Sequence, residues 1–228
     1  MVKGLSIFLL SVVMLLEATS LRASAEPSGE EKILAVVRKM ISVFENVEDF
    51  TCETEVTYYN EGIEDQQWRV KFFFKKGKKF RVDFSYPYRG VSIFYRGGDE
   101  KLTVRPFRFL PALKFRFSID APIAKTPSGQ RINQTDVGYF IRFIFNNLKS
   151  IEQRESEFQD DGERIQFLFW ALDYIEGKSL EKYRVFVSRK NWFPLRVERY
   201  NLEGKLVELI IFKNYVINSH LEDEFFVT

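Results

Sequence analysis

Few side chains in this chain can carry covalent or metal chemistry. His220 and Cys52 are the sole residues of their types among 228. A Ser-His-Asp or Cys-His arrangement needs a histidine base, so it would have to draw on His220. That residue lies near the C-terminus beside Glu222, Asp223 and Glu224, a composition that predicts an ordinary solvated tail. Metal sites built on clustered cysteine and histidine are excluded by count. The pair Asp160-Asp161 precedes Gly162, where aspartate favours a turn for backbone reasons. No glycine-rich phosphate loop follows a strand and opens a helix. The residues therefore point to no enzyme, no catalytic group, no metal and no cofactor. Cys52 cannot form an internal disulfide and is expected as a core thiol.

What remains is apolar and aromatic. The chain is 45% hydrophobic and 16% aromatic, with 24 Phe, which is too rich in core formers for a disordered polymer. Its 34 basic and 32 acidic residues nearly cancel, so it is no global polyelectrolyte and no nucleic-acid partner is expected. The charge is uneven along the chain. Arg69 to Arg81 holds seven basic residues and no acid, and Arg105 to Arg131 holds six basic residues against Asp120 alone. The second run is interleaved with Phe107, Phe109, Phe115 and Phe117. Such runs fit either hairpin rims of solvated lysines or a docking surface for lipid headgroups or a membrane partner.

The first 25 residues read as a signal peptide. Lys3 supplies a positive start, Leu5 to Leu16 an apolar run, and Ala23-Ser24-Ala25 a cleavage site, so the mature chain begins at Glu26. Twelve apolar residues at ~1.5 Å each fall short of a ~30 Å bilayer core. No cysteine stands at the cleavage point to take a lipid. The expected product is an exported, soluble, monomeric protein with one domain over 26–228.

The elements that follow are set by periodicity. Ser28-Gly-Glu-Glu31 is a capping box, and Ile33, Val37, Met40, Ile41 and Phe44 mark one buried helical face that fades near Asn46. The period then changes to two. Phe80, Val82, Phe84 and Tyr86 alternate with Lys79, Arg81, Asp83 and Ser85. Similar segments at 51–59, 68–74, 91–95, 102–105, 113–119, 165–170, 183–187, 195–200 and 206–212, separated by Gly turns, predict about ten antiparallel strands. This is a mainly β (α+β) chain whose sheet is open and strongly curved, a half-barrel. A Pro-rich stretch from Arg105 to Arg131 interrupts it, and Thr135-Asp136 then caps a second helix running to about Lys149. Val137, Phe140, Ile141, Ile144, Phe145 and Leu148 form its stripe, with Tyr139 and Phe143 outside it and Gly138, Arg142, Asn146 and Lys149 left as a narrow wet face. That apolar surface is roughly twice the ~100° a surface helix needs. The helix is either buried in the core or a lid that also lines a cavity. In the second case the pocket is lined by Phe72, Phe74, Phe80, Val82, Phe84 and Ile93 and closed by Phe140, Phe143 and Ile144. One of Phe72, Phe73 and Phe74 must face outward.

The run Phe74-Lys75-Lys76-Gly77-Lys78-Lys79-Phe80-Arg81-Val82-Asp83, followed by Pro87 and the turn Gly97-Gly98-Asp99, resembles the periplasmic outer-membrane lipoprotein carriers of the LolA/LolB-like superfamily. The stretches Trp192–Val197, Asn214-Tyr215 and Leu221–Phe226, with Asp120, Pro122 and Thr135–Gly138, are similar to a branch of unknown function. The resemblance implies a periplasmic location, an open barrel under a helical lid, and binding of lipid acyl chains or lipoproteins without catalysis. It also implies a membrane-anchored donor or acceptor, and a lid gated from the position of Lys76, where the carriers have Arg. Lys lacks the planar fork of Arg, which puts that gate in question. The longer Pro-rich insertion is a second departure. The alternative function is an envelope sensor or accessory protein that binds lipid or peptide and signals to a membrane partner.

Overall fold

The structure, a computed structural model, describes residues 26–61, 63–150, 153–173 and 177–227. The expected signal peptide lies outside the described residues. Helix α1 (Gly29–Glu45) starts where the capping box demands: the Ser28 amide donates to Glu31 Oε2 at 2.8 Å and the Glu31 amide to Ser28 Oγ at 3.2 Å. Ile33, Val36, Val37 and Met40 are buried along its inner face. Asn46 ends it, as the fading periodicity predicts.

Six strands follow as a meander: β1 (Asp49–Asn60), β2 (Ile63–Lys75), β3 (Lys79–Tyr86), β4 (Ser92–Tyr95), β5 (Lys101–Arg105) and β6 (Phe115–Ser118). Helix α2 (Val137–Ser150) comes next, then β7 (Phe158–Asp160), β8 (Arg164–Leu172), β9 (Leu180–Ser188), β10 (Pro194–Tyr200) and β11 (Leu206–Ile217). All eleven strands make one antiparallel sheet in the order β6-β5-β4-β3-β2-β1-β11-β10-β9-β8-β7. Pairing of β1 with β11 fuses the two meanders at the centre. The connection from β6 to β7 therefore joins opposite edges of the sheet and must cross one of its faces. It carries α2 across the concave face.

Strand alternation sets that face. Phe50 pairs with Phe74 and Cys52 with Phe72, while Phe72 pairs with Val82 and Phe74 with Phe80. All of these side chains are buried on the concave side. Phe50 stacks on Phe74 at 5.1 Å and Phe80 on Tyr95 at 5.0 Å between ring centroids. Phe73 is the member of the Phe triplet that faces outward. There it is covered by Phe225, 4.7 Å away.

Phe225 belongs to a C-terminal strap that corrects the solvated-tail expectation. The buried Asp49 carboxylate accepts hydrogen bonds from the Ser219 amide and hydroxyl and from the Leu221 amide, turning the chain back onto the convex face. A 3-10 turn at Asp223–Phe226 then buries Phe226 and sets the Arg81 guanidinium 4.5 Å from the Phe225 ring. Asp223 pairs with Lys75 at 2.7 Å and Lys79 at 2.6 Å. These two lysines hold its carboxyl down to about 2. Much of the basic run at 69–81 is thus engaged within the protein, with Arg81 forked onto Asp83 and Lys76 on Glu48.

The Asp160-Asp161 pair serves its turn: Asp161 Oδ1 accepts from the Glu163 and Arg164 amides. Strand β7 lies in a stretch, 152–163, that holds six acids against Arg154 alone, and its three residues are too few to carry a readable period. The strap generates a stability prediction. Phe226→Ala is expected to lower the urea-unfolding free energy by about 3–5 kcal/mol, whereas Glu222→Ala, at an exposed site, should leave it unchanged. Equal midpoints for both variants and the parent would show that the strap is not docked.

Candidate functional site

The concave face is larger than the two helices above it. Helix α1 covers its middle, where Phe44, Phe50, Phe74 and Phe193 interlock with centroid separations of 5.1–6.4 Å. Helix α2 packs against α1 and β8. Gly138 makes that crossing possible, since a Cβ there would sit 2.3 Å from Cε1 of Phe44. The wet face expected for Gly138 is therefore a helix contact. Ile141, Ile144 and Leu148 are fully covered, and Phe143 meets Phe169 and Tyr183 edge-on at 6.4 and 5.4 Å.

Beyond the end of α1, between the first turns of α2 and the sheet, the packing opens into a cavity of about 110 Å³. Its floor is Cys52, Val56, Phe72, Val82, Phe84, Val197, Ile210 and Phe212, and its roof is Val137, Tyr139, Phe140 and Phe143. Phe72, Val82, Phe84, Phe140 and Phe143, singled out in the sequence, meet here. Phe74, Phe80, Ile93 and Ile144 lie in the packed core instead, beneath α1, along β3 and β4, or between α2 and its neighbours. The split follows from where α1 stops, which strand alternation does not encode. Lys76 Nζ donates to Glu48 Oε1 at 2.9 Å and the Glu45 carbonyl at 3.3 Å, so it caps the C-terminal end of α1. Cys52 is a core thiol, held by burial up at about 12, with Sγ 3.5 Å from Thr54 Oγ1.

One end of the cavity is polar. Tyr58, Thr126, Gln130 and Glu208 line it. Arg199, buried, binds Glu181 at 2.9 Å and Glu208 at 3.1 Å, and the Tyr183 hydroxyl donates to Glu181 at 2.9 Å. Burial, reinforced by Glu208, pushes the Tyr58 hydroxyl well above the ordinary phenol range. None of these charges was singled out from the sequence. The signal was present: Glu181, Arg199 and Glu208 occupy the inward phase of strands whose other inward residues are Val185, Val187, Val197 and Ile210. A charge in a dry phase needs buried partners. Among the described residues no group of three or more His, Cys, Asp or Glu could hold a metal ion.

No family model matches the chain, and no curated protein matches it. Solved structures do. They include a LolA superfamily protein from Nitrosomonas europaea, at 14% identity over 85% of this chain and 96% of that one, TM-score 0.39. They also include the lipoprotein LppX from Mycobacterium tuberculosis, at 10% over 84% and 97%, TM-score 0.46. The MucA/MucB complex of Pseudomonas aeruginosa is matched at 8% over 86% of this chain and 61% of that one, TM-score 0.48. Among the described residues no helix is long and apolar enough to cross a membrane.

The start of α2 is sensitive to charge. Asp136 Oδ1 accepts from the Tyr139 amide at 2.9 Å and caps the helix at the cavity wall. Burial raises its carboxyl above the usual range, against the opposing pull of the Tyr139 and Gly138 amides and Arg142. A carboxyl raised in the fold contributes stability that is complete below its unfolded value of about 3.9 and is lost as pH rises through the folded one. Asparagine caps as well and does not titrate. The stability of Asp136→Asn relative to the parent, followed by urea unfolding, should therefore grow as the pH rises above about 4. A flat difference would contradict the burial of this carboxyl.

Proposed function

We propose that this protein is an exported carrier that holds acyl chains of lipids or lipoproteins between the concave sheet and α2. The apolar cavity carries the reading. Apolar side chains line a space of about 110 Å³ that the fold leaves unfilled, although larger side chains could have closed it. Its lining mixes Phe, Val and Ile with a polar end, the composition of a site for a long apolar chain with a polar terminus. Each methylene exposed to water costs about 0.8 kcal/mol, so an acyl chain crossing an aqueous compartment needs such cover. The carrier is one domain from Glu26 onward, released into the periplasm by removal of residues 1–25.

The size of the cavity says how it works. An apolar cavity of about 150 Å³ takes one benzene, so the present space admits a chain end rather than a whole tail. Loading then requires α2 to move outward and widen the space. The Phe140 and Phe143 rings, stacked on each other with centroids 6.2 Å apart, are the roof that a chain displaces. Their contacts are apolar and undirected, so they re-form against a methylene chain without leaving a polar group unpaired.

Val197→Phe tests the reading, because it fills the space from the floor. Displacement of a fluorescent fatty-acid probe is expected to show binding in the parent and at least a tenfold loss in the variant. The melting temperature of the variant should equal or exceed that of the parent, since a filled void no longer lacks contacts. No probe binding in the parent, with a variant that melts several degrees lower, would contradict the proposal and describe a closed core.

A further inference from the structure

The Pro-rich insertion between β5 and β6 is not used by the cavity. Within residues 107–115 stand five exposed large apolar side chains, Phe107, Phe109, Leu110, Leu113 and Phe115, with Phe109 77% exposed. A soluble surface does not gather so many by chance. No acid occurs between Lys101 and Ile119, where Arg105, Arg108, Lys114 and Arg116 accompany the aromatics. On the convex side of the same edge, a polar groove of about 330 Å³ is lined by Arg96, Lys101, Lys114 and Arg116 with Asp99 as its single carboxylate. Lys114 and Arg116 bring the groove up to the apolar loop.

We propose that this loop and groove dock the protein on a bilayer of anionic phospholipid. Phe107, Phe109 and Leu110 enter the interfacial zone, where aromatic rings are favoured, and the cationic groove receives headgroup phosphates. Charge complementarity selects the occupant. A neutral apolar partner would bring nothing to answer the excess of cationic over anionic side chains lining the groove, and an acidic soluble partner would leave the Phe side chains wet. The position is apt, because the docking face is continuous with the cavity wall. A Cβ on Gly90 would lie 4.0 Å from the Arg108 amide, and the neighbouring exposed Tyr88 touches Trp68 and Phe84 with centroids 6.3 and 5.7 Å away. Trp68 and Phe84 line the cavity. A bilayer held at this loop therefore sits beside the place where a chain would enter or leave.

Vesicle flotation with the mature protein tests the docking. Binding is expected to vesicles containing phosphatidylglycerol, at least tenfold weaker binding to phosphatidylcholine alone, and release by salt. Phe107→Ser/Phe109→Ser removes only exposed rings and should lower binding about tenfold. Arg108→Glu should lower it about fivefold or more. Both variants should keep parental displacement of the fatty-acid probe, so a failure of docking and a failure of the cavity reading are told apart. Absence of binding to the anionic vesicles would overturn the proposal, as would binding that neither variant changes. A dimer in sedimentation that the double Phe variant dissolves would also overturn it, by showing that a second copy covers this face.

Discussion

A single curved sheet with one dry face needs a cover, and among the described residues two α-helices supply it. That requirement governs the molecule. Eleven strands present a concave surface of Phe, Val and Ile side chains, and α1 seals its middle through an aromatic cluster around Phe50. The remainder falls to α2, which is suspended in a connection between the two sheet edges. Such a crossing helix is held by side-chain contacts and not by sheet hydrogen bonds. Because α2 leans on α1 and β8, its first turns stand over a part of the sheet that nothing else fills. The cavity is the residue of that geometry.

The same constraint explains the buried ions. The apolar cover ends near Tyr58, yet the sheet continues, and its inward positions there carry Glu181, Arg199 and Glu208 instead of aliphatic side chains. Paired with one another and with Tyr183, they fix one end of the concave face without closing it over. The cavity is thus lined by apolar side chains on its floor and roof and by polar ones at one end. On the opposite face, the strap bearing Asp223 and Phe226 ties the lysine-rich hairpin to the C-terminus. It leaves aromatic and cationic side chains together on the convex side.

Much of this was legible in the residues. The change of period from 3.6 to 2 after Asn46 is the step from α1 to the sheet, and the alternation through Phe80, Val82 and Phe84 gives the inward side correctly. The excess width of the apolar stripe on α2 has a physical meaning: Ile141, Ile144 and Leu148 face the body, while Tyr139, Phe140 and Phe143 face the cavity. Other features depend on residues that lie far away along the chain. Which Phe rings line a void and which are sealed depends on where α1 ends above them. The docking of Phe226 depends on Asp49, and the burial of Gly138 depends on Phe44. Local composition, acidic around Asp223 and neutral at Gly138, points the other way in both cases.

The central claim is that an acyl chain lies between α2 and the concave sheet, and Trp68 on the cavity wall can report it directly. With Trp170→Phe and Trp192→Phe, Trp68 is the sole tryptophan of the chain. Titration with a fatty acid brominated along its tail should quench Trp68 fluorescence to saturation at one chain per protein, because bromine quenches only at near contact. Binding of the brominated chain that leaves Trp68 fluorescence unchanged would place the ligand elsewhere and contradict the account.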